Sequence, residues 1–279
     1  MRRLLPSIKR RTLRLWLSLH ERLLDLPTAD TGAARGLALS RLGSDYGGWT
    51  VHDAPSLNDG LVMSAGLGED GSFDTELARR FGAKVVIVDP TPRAIDHFAA
   101  IAARVGQPAQ SGWSDGGQQP PEAYDMTGLV PGQLALQPVA LWDKACELRF
   151  FAPKNPDHVS HSVVDLQNDY AMTGAHLSVE ALTPAEVLAA CGESPDRLAL
   201  LKIDIEGAEV EVLCHLAKTD LRPAQIAVEY DELIAPTVTG LRRVSRAHKA
   251  LSGAGYTCVH CEDTNFLYIH RSAMPSRAA

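Results

Sequence analysis

A glycine-rich segment, 64–73, has the residue types of a loop that could hold an adenosine-containing ligand. Gly66, Gly68 and Gly71 fit the pattern G-x-G-x-x-G, which lets the backbone turn tightly and a ligand approach without a side-chain clash. Asp89 ends the next predicted strand, where an acid can accept hydrogen bonds from both hydroxyls of a ribose. Alone, the pattern fits a dinucleotide, another adenosine compound or an ordinary strand-to-helix turn.

Two acids inside this segment favour one of these ligands. Glu69 and Asp70 stand where a dinucleotide would place its pyrophosphate, at the N-terminus of the predicted helix. Like charges about 4 Å apart repel by ~4 kcal/mol at an effective dielectric constant of about 20. S-adenosylmethionine carries a sulfonium and an ammonium and no phosphate, so it meets no such repulsion. Both acids could also simply cap the helix dipole.

Four further side chains could take a proton from a reacting group. Asp204 ends the predicted buried strand 198–203, and Glu206 follows it near the start of a predicted helix. Glu229 ends another predicted strand, and His161 lies in a loop. A carboxylate or imidazole beside a hydroxyl can act as a general base, and Asp204 is the first choice for this role. The structural alternatives are helix capping by Asp204 and dipole stabilisation by Glu206.

The elements that would position these residues alternate between strands and helices from Gly60 onwards. This alternation predicts an α/β fold with a mainly parallel sheet and helices on both faces. The last two strands have no helix between them, so we expect an antiparallel edge. The predicted strands are 61–63, 85–88, 134–141, 148–152, 198–203, 226–228, 256–259 and 266–269, and the predicted helices are 73–81, 94–105, 183–191, 208–217 and 241–251. A hairpin is expected around 143–147, and the Gly- and Pro-rich segment 106–138 is expected to be a long loop.

The N-terminal segment 1–26 differs in charge from the rest of the chain. It is +5, so the remainder is −12, and its apolar residues recur at helical spacing. Such a basic amphipathic helix could lie on a membrane surface, or it could pack on its own domain or on a partner subunit. We therefore expect a helix and connector over 1–55 with one short helix in the connector, a ligand-binding domain over 56–272 and a tail over 273–279.

Composition limits the classes of protein. The chain has 279 residues, of which 45% are hydrophobic and 22% charged, so it can bury a sizeable core. Its net charge of −7 argues against a nucleic-acid partner. Five cysteines indicate a reducing, cytoplasmic compartment, and the pair Cys258 and Cys261 has no second pair that would complete a zinc site, so we expect no metal.

Several segments together resemble the FkbM family of S-adenosylmethionine-dependent methyltransferases. The most specific is 200–209, which resembles the family signature L-K-I-D-x-E-G-A-E. The other similar segments are 66–73, 88–92, 138–143, 147–150 and 265–268. Ser64 departs from the acid that methyltransferases often carry at the end of the first strand, so Glu69 or Asp70 could hold the ammonium of the cofactor instead.

The resemblance implies a Rossmann-like class I methyltransferase sheet of seven strands with the last strand antiparallel. It also implies O-methylation of a hydroxyl group on a small molecule or glycan. By position, Asp89 and its neighbour Pro90 would hold the ribose, and Asp204 would face the methyl group. The implied cofactor-binding residues are Ser64, Gly66, Gly68, Glu69, Asp70, Asp89, Pro90, Ala140, Leu141, Trp142 and Asp204, with 139–142 beside the adenine.

The sequence is also compatible with two other functions. An NAD-dependent oxidoreductase is supported by the glycine pattern with Asp89 and opposed by Glu69 and Asp70. A membrane-associated binding protein that no longer catalyses is supported by the basic segment 1–26 and by Ser64. A homo-oligomer is compatible with all three functions.

Overall fold

A seven-stranded sheet forms the centre of the described part of the chain. The computed structural model describes residues 23–151 and 176–275. The strands are β1 (Leu39–Leu42), β2 (Trp49–His52), β3 (Leu61–Ala65), β4 (Lys84–Val88), β5 (Leu134–Gln137), β6 (Ala140–Leu141), β7 (Cys146–Phe151), β8 (His176–Leu182), β9 (Leu198–Ile203), β10 (Gln225–Glu229), β11 (Tyr256–Glu262) and β12 (Asn265–His270). The helices are α1 (Ser72–Phe81), α2 (Pro92–Ala102), α3 (Pro184–Ala190), α4 (Glu209–Leu216) and α5 (Val238–Gly253).

The order and direction of the strands identify the fold. The central sheet runs β11-β12-β10-β9-β3-β4-β5. Neighbours from β10 to β5 pair in parallel, whereas β12 is antiparallel to both β10 and β11. This is the class I methyltransferase sheet, with its last strand reversed, so the predicted fold class is confirmed. The carboxyl ends of the parallel strands lie at one edge, where ligands of open α/β sheets bind.

Helices cover both faces of this sheet, which explains the nearly continuous apolar runs in its strands. All six residues of β9 are buried. Helices α1 and α2 pack on one face together with β1 and β2. Helices α3, α4 and α5 pack on the other face. The ends of all five helices fall within three residues of the predicted positions.

The connector before the domain contains a hairpin that the sequence did not predict, and its one expected short helix is a 3-10 helix at Pro55–Leu57. Strands β1 and β2 pair antiparallel, and Trp49 and Val51 of β2 are buried on the α1 face of the sheet. The backbone N–H of His52 donates to Gln225 Oε1, and Gln225 Nε2 donates to the His52 carbonyl, both at 2.8 Å. The hairpin is therefore fixed to β10. The expected boundary at residue 56 stays a prediction, and segment 1–26 lies mostly outside the described residues.

A second, smaller sheet corrects another expectation. The residues around 143–147 connect β6 to β7, but these strands do not pair with each other. Instead β8, which the sequence did not predict, lies between them, parallel to β6 and antiparallel to β7. The hairpin prediction failed because β8 enters from a distant part of the chain. Within the described residues, no helix has the length and hydropathy needed to cross a membrane.

Candidate active site

The turn after β3 brings the two sequence motifs into contact. Gly66 has a φ of 86°, and a Cβ on it would overlap the carbonyl oxygen of Asp204. The Gly66 N–H donates to the Val88 carbonyl at 3.0 Å, and the Asp204 N–H donates to the Ala65 carbonyl at 3.1 Å. Only glycine fits this close approach. The ends of β3, β4 and β9 therefore meet within one hydrogen-bonded cluster.

The Asp89 carboxylate holds the glycine loop by accepting hydrogen bonds from its backbone. Its Oδ2 accepts hydrogen bonds from the N–H groups of Leu67 and Gly68, at 2.9 and 3.1 Å. Its Oδ1 accepts from the backbone N–H and the hydroxyl of Thr91, at 2.9 and 2.6 Å. Asp89 is buried, and Pro90 beside it is half-buried. The carboxylate thus shapes the loop, and its predicted contact with a ribose would have to share these oxygens.

Glu69 and Asp70 have partners that the sequence did not predict. Glu69 forms an ion pair with Arg93 at 2.5 Å, and it also accepts from Gln118 Nε2 at 3.0 Å. Asp70 accepts from the Ser44 hydroxyl at 2.6 Å and from the N–H of Ser72, the first residue of α1, at 3.0 Å. Because Arg93 compensates Glu69, the repulsion of a pyrophosphate rests mainly on Asp70.

The loop after β9 is fixed by a buried carboxylate. Glu209 Oε1 accepts from the N–H groups of Ile205 and Gly207, at 2.8 and 3.1 Å. Glu206 between them has a φ of 57°, which is uncommon for a residue other than glycine. Arg243 of α5 donates to the Gly207 carbonyl at 3.1 Å. These bonds hold the loop so that the Asp204 side chain, 34% exposed, stands at the edge of the sheet.

Acidic side chains crowd the same edge and shift one another's pKa. Burial and then the nearby Asp204 raise the pKa of Glu229, which also accepts from the Thr264 hydroxyl at 2.7 Å. Burial and then the charge of Glu209 raise the pKa of Asp231 to about 10. Glu206, Asp204 and Glu229 add to that effect. The predicted base candidates Asp204, Glu206 and Glu229 therefore lie near one another.

Tyr46, in the turn of the N-terminal hairpin, faces these acids. Partial burial of its hydroxyl, followed by the charges of Asp204, Glu206, Glu229 and Asp70, raises its pKa. Its ring remains exposed to solvent. No sequence pattern indicated this placement, because Tyr46 lies outside both motifs.

Lys202 is the second residue that the sequence did not assign. Its ammonium lies at the carboxyl end of β9 and donates to the carbonyls of Ala65 and Gly66, at 3.1 and 2.6 Å. It also lies 3.7 Å from Asp204 Oδ2. Lys202 is buried, which is rare for lysine unless its charge is paired. A lysine within an otherwise apolar strand was the sequence feature that could have indicated a special role for Lys202.

The other predicted residues occupy three different environments. Ser64 is buried in β3, and its hydroxyl faces Asp74 of α1. Ala140 and Leu141 are buried in β6, and Trp142 is half-buried after it. These three follow β5, whose Gln137 carbonyl accepts from the Asp89 N–H at 3.2 Å, so they lie beside the same edge. His161 lies outside the described residues. Among the described residues, no group of three or more His, Cys, Asp or Glu could hold a metal ion.

Comparisons with known proteins identify no family. No family model matches the chain, and no curated protein matches it. Among solved structures, the chain is similar to a point variant of the 16S rRNA (adenine(1408)-N(1))-methyltransferase from Catenulisporales acidiphilia, with a TM-score of 0.34 and 12% identity. The match covers 86% of this chain and 100% of that chain. A likeness this distant assigns no activity to this chain, and the resemblance to the FkbM family stays a prediction.

The same comparison contradicts the predicted partners. The sequence predicted a small-molecule or glycan acceptor and excluded nucleic acid, whereas the similar structure belongs to an enzyme named for methylating 16S rRNA. The prediction is therefore wrong as stated. The net charge of −7 was a weak ground for the exclusion, because it sums over the whole chain and hides a segment, 1–26, that is +5.

The Gly66 turn should tolerate no side chain. We expect Gly66→Ala to lower the free energy of unfolding by at least ~2 kcal/mol more than Gly68→Ala, because only the former meets the Asp204 carbonyl. Gly68 also has a positive φ, of 54°, but a Cβ there would have no neighbour within 4 Å. Urea unfolding of both variants measures the difference, and equal losses would refute the contact.

The buried acids should make stability fall as pH rises. A carboxyl whose pKa is higher in the folded than in the unfolded state binds more protons when folded, so stability is lost above its unfolded pKa. We expect Asp231→Asn to be more stable than wild type by at least ~1 kcal/mol at pH 8 and to differ little near pH 4. Urea unfolding across this range tests it. A constant difference at every pH would show that Asp231 does not titrate between the two states.

Proposed function

We propose that this chain is an S-adenosylmethionine-dependent methyltransferase that transfers the methyl group to an oxygen. The observation that carries the proposal is the contact of the Gly66 turn with the Asp204 backbone. It joins a glycine loop to a set of carboxylates at the ligand-binding edge of a class I methyltransferase sheet. Because a fold alone does not determine function, the chemistry of these residues supports the remaining steps.

The negative charges at this edge suit a cationic ligand. Asp70, Asp204, Glu206 and Glu229 lie close enough to act on the same Tyr46 hydroxyl. Lys202 is the cation within 4.0 Å of Asp204 in the described residues. A sulfonium and an ammonium would be attracted to this edge, whereas a pyrophosphate would meet the Asp70 charge. The open side of Gly68 leaves room for a ligand against the loop.

The predicted contacts divide this edge into regions. The glycine loop at Gly66 and Gly68 would hold the amino-acid part of the cofactor, with Asp70 available for its ammonium. Asp89 and Pro90 would hold the ribose. Ala140, Leu141 and Trp142, which follow β5, would line the adenine. Ser64 is too deeply buried to contribute its side chain.

When bound, the cofactor supplies a methyl group activated by its sulfonium. The protein must align the acceptor oxygen with this group, and it must remove the proton of that oxygen. Asp204 is the proposed base because its carboxylate is partly exposed at the edge. Glu229 supports it, since its raised pKa lets it hold a proton nearer neutral pH.

Ligand binding tests the cofactor first. At a hundredfold its dissociation constant, S-adenosylmethionine should stabilise the fold by about 2.7 kcal/mol, as should S-adenosylhomocysteine. Thermal unfolding with these two compounds, NAD and NADP measures the effect. Stabilisation by NAD alone would contradict the proposal and support an oxidoreductase. No effect from any of them would support a protein that no longer catalyses.

The base should be separable from cofactor binding. We expect Asp204→Asn to abolish methyl transfer while S-adenosylhomocysteine still binds, because the amide keeps the shape but cannot take the proton. Radiolabelled methyl transfer to a panel that includes ribosomal RNA and hydroxyl compounds measures turnover. Asp196→Asn makes the same change on an exposed residue just before β9, and it should leave turnover intact. Normal turnover in Asp204→Asn would assign the proton to another group.

A further inference from the structure

The ammonium of Lys202 connects three parts of the edge that the proposed function uses. It donates to both carbonyls of the β3 turn and lies beside Asp204. It also lies 5.1 Å from the ring centre of Trp49, in the N-terminal hairpin. The aromatic face attracts a cation, and it covers Lys202 from the side of the hairpin. One charge is thus in contact with the Gly66 turn, the Asp204 carboxylate and the hairpin.

The charged groups around Lys202 come from several elements. Asp74 of α1 lies beneath the turn, and burial raises its pKa to about 6, while the charge of Lys202 opposes that rise. Glu229 of β10 lies on the other side, and Lys202 also opposes the rise of its pKa. The charge of Asp70 raises the pKa of Asp74, and the charge of Asp204 raises the pKa of Glu229. Glu206 and Asp231 complete the acidic surroundings of Asp204.

We propose that Lys202 is a positioning residue for methyl transfer. Its buried ammonium holds the Gly66 turn and the Asp204 carboxylate in one fixed geometry. This inference rests on the proposed function. Lys202 contacts neither reactant directly. It acts through the Gly66 carbonyl, which sets the turn, and through the carboxylates, whose charged form it favours.

A pair of variants that both lack the Asp74 charge separates the positioning role of Lys202 from its effect on stability. Removing Lys202 alone would leave Asp74 as a buried carboxylate without its nearby cation, which could prevent folding. We therefore compare Asp74→Asn with the double variant Asp74→Asn/Lys202→Met, in which neither buried charge remains. Lys84→Met is the control. Lys84 is the first residue of β4, at the end of the sheet opposite the carboxyl edge, and it pairs with Glu193 at 2.6 Å.

Two readouts are expected to change in the double variant. The dissociation constant of S-adenosylhomocysteine, measured by calorimetry, should rise at least ~10-fold over Asp74→Asn because the turn is no longer fixed. The acidic limb of the pH profile for turnover should move to higher pH, since Lys202 opposes the rise in the pKa of Glu229, the carboxylate that supports the base. Lys84→Met should change neither. A folded double variant with the affinity and pH profile of Asp74→Asn would overturn the proposal.

A measurement on the wild-type chain covers the case in which the double variant does not fold. The buried Lys202 ammonium should give a slowly exchanging ¹⁵N signal, assigned by its loss in Lys202→Arg or by its contacts with Trp49. We expect S-adenosylhomocysteine to shift this signal, because the ligand would lie against the turn that the ammonium holds. Binding of the compound without any shift would overturn the proposal. Absence of binding would instead contradict the proposed function.

Discussion

The close approach of Gly66 to the Asp204 backbone is the constraint on which the site depends. Parallel strands end at a common edge, but their loops normally diverge to either face of the sheet. Here a glycine with positive φ lets the loop after β3 lie directly on the loop after β9. Asp89 then holds one loop and Glu209 the other, each by accepting backbone N–H groups. The edge is thus held by bonds to backbone groups, and Asp204 and Glu229 are the carboxylates that we propose for chemistry.

Charge is distributed to suit that edge. Some acids near that edge have an arginine partner: Arg93 pairs with Glu69, and Arg243 pairs with Glu211 and Glu232. Asp204 shares Lys202 with the turn and with Asp74. Burying several carboxylates together raises their pKa and costs stability at neutral pH. Such a cost is typical of sites that must hold and move a proton.

The sequence predicted the central sheet because its parallel strands contain nearly continuous apolar runs and alternate with helices, some of which have clear start signals. Thr183 with Glu186, for instance, forms a capping box before α3. Strand β8 was not predicted, because its partner strands are far away in the chain. The hairpin β1–β2 was not predicted either, because its strands have only four residues each and the Gln225 side chain that fixes it is distant in the chain. In the site, Gly66 and Asp204 carried recognisable motifs. The Arg93 partner of Glu69 and the contacts of Lys202 depend on packing, which no local pattern encodes.

The assignment of this edge is tested most directly by a crystal structure of the chain with S-adenosylhomocysteine. We expect the compound to lie at the carboxyl edge of the sheet, with its amino-acid part on the Gly66 turn and its sulfur facing Asp204. The Lys202 contacts with the turn should be retained. A compound bound elsewhere, or with its adenine on the Gly66 turn and its sulfur away from Asp204, would contradict the assignment of this edge as a methyl-transfer site.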